Sequence, residues 1–115
     1  MIKGIGVDII EVERVEKLGL RSPRFLERIF SPGEIAYCSK KANKFQHFAA
    51  RFAAKEAFFK ALGRRIPWKE VELVNLTSGK PTLKLKGKGR QVFKRAHVSV
   101  AHLAECAVAV VILEA

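Results

Sequence analysis

The chain has 115 residues, the size of one domain (1–115), and 49% hydrophobic against 29% charged residues is the balance of a folded protein, neither disordered nor membrane-embedded. No apolar run approaches the roughly 18 residues of a membrane span, and Met1-Ile2-Lys3-Gly4 lacks the features of a secretory signal, so cytoplasm is the expected location. Lys and Arg number 22 against 11 Asp and Glu, a formal charge of +11 that calls for an anionic partner without choosing among nucleic acid, lipid, nucleotide and acidic protein.

Ile2 to Ile10 alternates Ile5, Val7 and Ile9 with Gly4, Gly6 and Asp8, which predicts a strand whose second face is bare backbone ending in a carboxylate. From Glu11, Val12, Val15 and Leu18 follow helical spacing, with Gly19 as the expected stop. Ser22-Pro23 starts a short helix with proline at its first position. Ser31-Pro32-Gly33-Glu34 starts another with a capping box, since Glu34 can reach back to the cap while Ser31 bonds forward. Asn43 to Leu62, rich in Ala, Phe and Lys and closed by Gly63, is the expected long central helix. Val71–Leu76 and Thr82–Lys86 read as paired strands across Ser78-Gly79-Lys80-Pro81, and His97–Ala101 and Cys106–Leu113 as a second pair. The last strand has no polar face, which points to self-association. Helices come early and strands late, so the predicted class is α+β, a mainly antiparallel sheet packed with the central helix.

Two carboxylates stand out. Asp8, the only Asp, lies on the glycine face of the first strand, where a ligand has room to approach the backbone; the alternative is a helix cap. Glu56 falls on the face of the central helix that carries Phe45, Phe48, Ala49, Phe52 and Phe59, where a carboxylate needs a partner or a metal. The plain alternative is an i,i+4 pair with Lys60. Two carboxylates together with phosphate oxygens and waters suit Mg²⁺. Lys44, Arg51 and Lys55 share a flank of the same helix, either solvated or facing a phosphate. His97-Val98-Ser99-Val100-Ala101-His102 lacks the nucleophile elbow of a serine hydrolase. Cys38 and Cys106 form no Cys-x-x-Cys pair and read as ordinary, mostly buried thiols. Gly4-x-Gly6 lacks the third glycine of a dinucleotide fingerprint.

Gly6-Val7-Asp8 with Glu11 and Arg14, Phe30-Ser31-Pro32-Gly33-Glu34, Arg51-Phe52-Ala53-Ala54-Lys55-Glu56-Ala57 with Lys60-Ala61-Leu62-Gly63, Gly79-Lys80-Pro81, and His97-Val98-Ser99 with His102 occur in one order. Together they resemble the holo-[acyl-carrier-protein] synthase family, short 4'-phosphopantetheinyl transferases. The resemblance implies that family's fold and the transfer of 4'-phosphopantetheine from coenzyme A to a serine of apo-acyl-carrier protein, releasing adenosine 3',5'-bisphosphate, in fatty acid biosynthesis. It implies that Asp8 and Glu56 hold Mg²⁺ and are catalytic together with Lys60, which neutralises charge on the transferring group. The base that takes the serine proton stays open between a metal-bound water and Glu56. Arg51, Lys60, Lys80, Ser99 and His102 are the implied coenzyme A contacts. Arg14, Arg21, Arg24 and Arg28 lie where the family docks its acidic carrier protein, for which a solvated face is the alternative. A homotrimer with active sites between subunits is implied as well, and neither nucleic acid nor membrane is an expected partner.

Two departures bear on the nucleotide contacts. Arg64-Arg65-Ile66-Pro67-Trp68 is a shorter connection than many relatives have, and Ala101 stands where Ser or Thr is frequent. A small basic RNA-binding protein is the other class that the charge favours, but no aromatic-bearing RNP-type strand or Gly-x-x-Gly clamp supports it.

Overall fold

The computed structural model describes residues 1–87 and 93–115. Strand β1 (Ile2–Glu11) leads into three short helices, α1 (Val12–Arg21), α2 (Pro23–Ile29) and α3 (Pro32–Ser39), and then into the long helix α4 (Lys44–Leu62). A 3₁₀ turn (Trp68–Glu70) precedes β2 (Val71–Asn75) and β3 (Pro81–Leu85), and the chain ends in β4 (Arg95–His102) and β5 (Cys106–Glu114). β1, β5 and β4 form one antiparallel sheet with β5 central, and β2 and β3 form a separate antiparallel ribbon. The α+β expectation is met.

The packing of α4 against the sheet begins at two glycines. A Cβ on Gly4 would lie 1.9 Å from the carbonyl oxygen of Ala61, and one on Gly6 would lie 1.9 Å from that of Ala57. The glycine face of β1 therefore receives the backbone of α4, and a ligand does not approach there as the sequence suggested. Ala53, Ala54, Ala57, Phe48 and Phe58 continue the buried side of the helix, over Ala107, Ala109, Val111 and Leu113 of β5. Most of the core is built on this one contact.

With glycine turned inward, the apolar residues of β1 turn outward: Ile5, Val7 and Ile9 are 65%, 55% and 67% exposed. They pair in register with Ile112, Val110 and Val108 of β5, which pair in turn with His97, Ser99 and Ala101 of β4. An apolar sheet face with a polar edge is thus left open. On β5 alone, one face is buried and the other half-buried, so its lack of a polar side is explained by two different surroundings.

Helix starts follow their local chemistry. Pro23 opens α2, and at α3 the capping box closes in both directions, Ser31 Oγ accepting from Glu34 N and Glu34 Oε1 accepting from Ser31 N. Gly19 does not stop α1, which continues to Arg21. A Cβ there would stand 2.9 Å from the ring of Phe45, so the glycine makes room for α4's first turn. Lys55 is also corrected: it is wholly buried and bonded to Glu34 and to the carbonyls of Ile29 and Trp68, not on a solvated flank.

Candidate active site

Asp8 and Glu56 line one cleft of about 290 Å³, formed where the end of β1 meets α1, α2 and α4. Arg14 stands at the same cleft, and Ile10, Leu18, Phe25 and Phe52 supply its apolar wall. The two carboxylates are each only 16% exposed, which strengthens any electrostatic contact they make. Asp8 is not a helix cap, because α1 is preceded by Glu11 without a side-chain cap. Its Oδ1 accepts a hydrogen bond at 3.1 Å from Lys60 Nζ, which also donates to the carbonyl of Val7 at 3.0 Å.

Glu56 does not pair with Lys60. Both its oxygens accept from one guanidinium nitrogen of Arg65, each at 3.1 Å. Arg65 lies within 5.3 Å of the Phe59 ring centroid and 5.6 Å of the Trp68 centroid, so two aromatic faces support it. Sequence reasoning named the short 64–68 connection only as a missing contact. Its one available signal was the pair of arginines directly after the helix, since a loop side chain gives no periodicity.

The donor set of this cleft suits a hard, oxygen-ligated cation: two partly desolvated carboxylates, with no Cys or His among the described lining residues. Among the described residues no group of three His, Cys, Asp or Glu gathers. Such an ion would take two protein ligands and the rest from phosphate or water, the habit of Mg²⁺.

The other predicted residues lie elsewhere. Arg51 is buried behind Tyr37, whose ring centroid is 4.3 Å from its guanidinium carbon, and donates to Asn75 Oδ1 at 2.9 Å. Its Nε is buried without a partner among the described residues. It borders a second hollow of about 300 Å³ with Glu72, Asn75 and Lys84. Lys80 is exposed in the turn between β2 and β3. His102 lies on the helix-facing side of the sheet like Asp8, but on the opposite edge strand, where Nδ1 meets Gln46 Oε1 at 2.9 Å. Its ring also meets that of His47 at 5.3 Å. Ser99 is exposed on the open sheet face, turned away from His102, while His97 is bonded to Glu114, so neither histidine makes a hydrolase dyad with it.

Arg14, Arg21, Arg24 and Arg28 are all exposed on α1 and α2, and of the four Arg14 lines the cleft. Lys44 is exposed. Cys38 is buried and its thiol is pushed up to about 12, first by burial, so it is inert, whereas Cys106 is only half-buried. No helix among the described residues is long and apolar enough to cross a membrane.

Comparison with known proteins agrees with this geometry. Residues 4–111 match the 4'-phosphopantetheinyl transferase superfamily. A holo-[acyl-carrier-protein] synthase of Geobacter sp. (strain M21) is 48% identical over an alignment of 124 residues that covers 99% of each chain. The crystal structure of the Bacillus anthracis holo-(acyl-carrier-protein) synthase, a complex with CoA (3',5'-ADP), superposes with a TM-score of 0.86 at 37% identity, covering 100% of this chain and 98% of that one. The Neisseria meningitidis synthase superposes at 0.90 with 29% identity and full coverage of both chains. From a carboxylate-lined cleft on a shared fold and near-complete alignment with these enzymes, the chain belongs to the holo-[acyl-carrier-protein] synthase family.

Proposed function

We propose that the protein, acting as one domain over 1–115, transfers 4'-phosphopantetheine from coenzyme A to a serine of apo-acyl-carrier protein, the step that readies the carrier for fatty acid biosynthesis. The observation that carries the reading is the cleft that joins Asp8 and Glu56, with Arg14 in its lining and Lys60 bonded to Asp8. The serine oxygen attacks the phosphorus next to the pantetheine, the anhydride P–O bond breaks, and adenosine 3',5'-bisphosphate leaves with that bond's electrons while the serine proton passes to a base.

Asp8 and Glu56 would hold Mg²⁺ between them, and the ion when bound supplies charge neutralisation and orientation to the pyrophosphate. Lys60, fixed by Val7 O and Asp8 rather than free in solvent, presents its ammonium to the same phosphates. Leu18, Phe25 and Phe52 limit water at the apolar wall. The arginines of α1 and α2 draw the acidic carrier protein toward the cleft.

Arg51, Lys80, Ser99 and His102 serve coenzyme A in this reading, although none of them lines the Asp8–Glu56 cleft. The open face of Ile5, Val7, Ile9 and Ser99 supports an assembly in which neighbouring copies complete each other's site, a homotrimer by resemblance. Intact-mass spectrometry of apo-acyl-carrier protein incubated with coenzyme A and this protein tests the function. A gain of one phosphopantetheine with Mg²⁺, absent with a chelator and nearly absent for Glu56→Ala, is expected. No gain across several apo carrier proteins overturns the reading, and full activity of Glu56→Ala removes that residue from the mechanism.

A further inference from the structure

We propose that Arg65 is a resident counter-ion of Glu56 that competes with the divalent cation, so that loading the cleft requires its displacement. The proposal rests on the reading of Asp8 and Glu56 as a cation site. It goes beyond that reading by assigning a role to a residue of the short connection after α4.

Three observations lead to it. First, the two carboxylates of the cleft are each met by a basic side chain, but the two contacts differ in kind. Lys60 has a second acceptor in the Val7 carbonyl and stays anchored when Asp8 turns to another cation. Arg65 hydrogen-bonds only Glu56 among the described residues, and its single nitrogen spans both carboxylate oxygens, the same atoms that an incoming cation needs. Second, the two ends of the pair sit in different surroundings. Glu56 is 16% exposed and Arg65 is 64% exposed. The carboxylate stays put while the guanidinium has solvent to move into. Third, Phe59 and Trp68 contact the guanidinium at the same time as Glu56 does, so losing Glu56 does not leave it unsupported.

A cation binding at Glu56 must therefore break this pair. Pairs with an exposed partner are weak, so the expected effect is modest: removal of Arg65 tightens cation binding about three- to fivefold. Because Arg65→Ala also removes one positive charge from the neighbourhood, Arg64→Ala is the comparison. Arg64 is exposed beside it in the same connection and carries the same charge.

The test is a titration of the full chain with Mn²⁺, without coenzyme A or carrier protein, reading the electron-paramagnetic-resonance signal of the free ion. Arg65→Ala is expected to bind at least about threefold more tightly than both wild type and Arg64→Ala, and the gain is expected to vanish when Glu56→Gln is added. Arg65→Lys, which keeps the charge, is expected to return the affinity most of the way to wild type. Equal shifts for Arg65→Ala and Arg64→Ala, no shift, a shift that survives Glu56→Gln, or no Mn²⁺ binding by any form overturns the proposal. The carrier-protein mass assay separates the two failures. Transfer by wild type with no selective Arg65 shift refutes the counter-ion alone, whereas a selective shift without transfer refutes the transferase reading alone.

Discussion

Lys55 and Glu34 form an ion pair of 2.6 Å in which neither side chain reaches solvent. The pair survives desolvation because its spare valences are used: Glu34 also accepts from the backbone N–H groups of Ser31 and Leu73, and Lys55 donates to the carbonyls of Ile29 and Trp68. Five segments, α2, α3, α4, the 3₁₀ turn and β2, are joined at one point. Glu34→Ala is expected to cost about 3–5 kcal/mol, because it leaves a buried ammonium uncompensated. The double variant Glu34→Leu/Lys55→Met is expected to recover most of that loss. Urea unfolding of the two forms is the check, and equal stability of the single variant and wild type would refute the assignment.

Gly6→Ala places a methyl group against the Ala57 carbonyl. Since the obstacle is backbone, the strand and helix must separate, at a cost of at least about 1–3 kcal/mol. The same movement parts Asp8 from Glu56. Denaturant midpoints together with transfer rates should show both losses, and wild-type values for both would contradict the packing described.

Ile5→Asp puts a carboxylate on the open sheet face without entering the core, as Ile5 is 65% exposed. The expected result is loss of self-association with an unchanged far-ultraviolet circular dichroism spectrum. Light scattering at matched concentrations reads it. An assembly of undiminished mass would mean that this face is not the contact.

Charge reversal at Arg14 and Arg24 should chiefly weaken the protein's affinity for its carrier protein and flatten the salt dependence of association. Rates measured against carrier-protein concentration at two ionic strengths separate this from a turnover defect. An unaltered dependence would remove the α1–α2 arginines from docking.

His47 carries a pH prediction. Burial, followed by His102, Arg51 and Lys41, holds its imidazole below the ordinary 6.5. The folded state therefore takes up this proton less readily than the unfolded chain, so the contribution to stability is full above 6.5 and falls as pH drops through it toward the lower folded value. Melting temperatures at about pH 7.5 and about pH 5.5 should differ more for wild type than for His47→Gln. Identical differences would exclude His47 as the source.

What the sequence made legible was mostly local. The Ser31 box, Pro23, the length of α4 and the alternation of the strands depend on residues within a few positions of one another, and each appears in the structure. Asp8, Glu56 and Lys60 were legible as oddities because a carboxylate in an apolar pattern has few explanations. Contacts made across the fold were not. Alternation in β1 separates two faces without saying which is inside, and the presence of α4 reverses the intuitive choice. Lys55 looked solvated because Glu34 stands 21 positions away, and Gly19 looked like a stop because Phe45, which needs its space, lies on another helix. Arg65 escaped notice for the same reason, with its role set by aromatic neighbours on both sides of a turn.

The backbone contact of Gly4 and Gly6 with α4 also bears on how such a chain tolerates change. Where strand and helix meet main chain to main chain, their spacing is inherited from peptide geometry and not from side-chain volume. Asp8 continues one partner of that contact and Glu56 belongs to the other. Substitutions among Phe48, Phe58 and the rest of the interior alter packing quality while the ruler between the two carboxylates keeps its length. Drift in the interior and constancy of the chemistry are thereby uncoupled, with two hydrogen atoms, in place of methyl groups, as the condition.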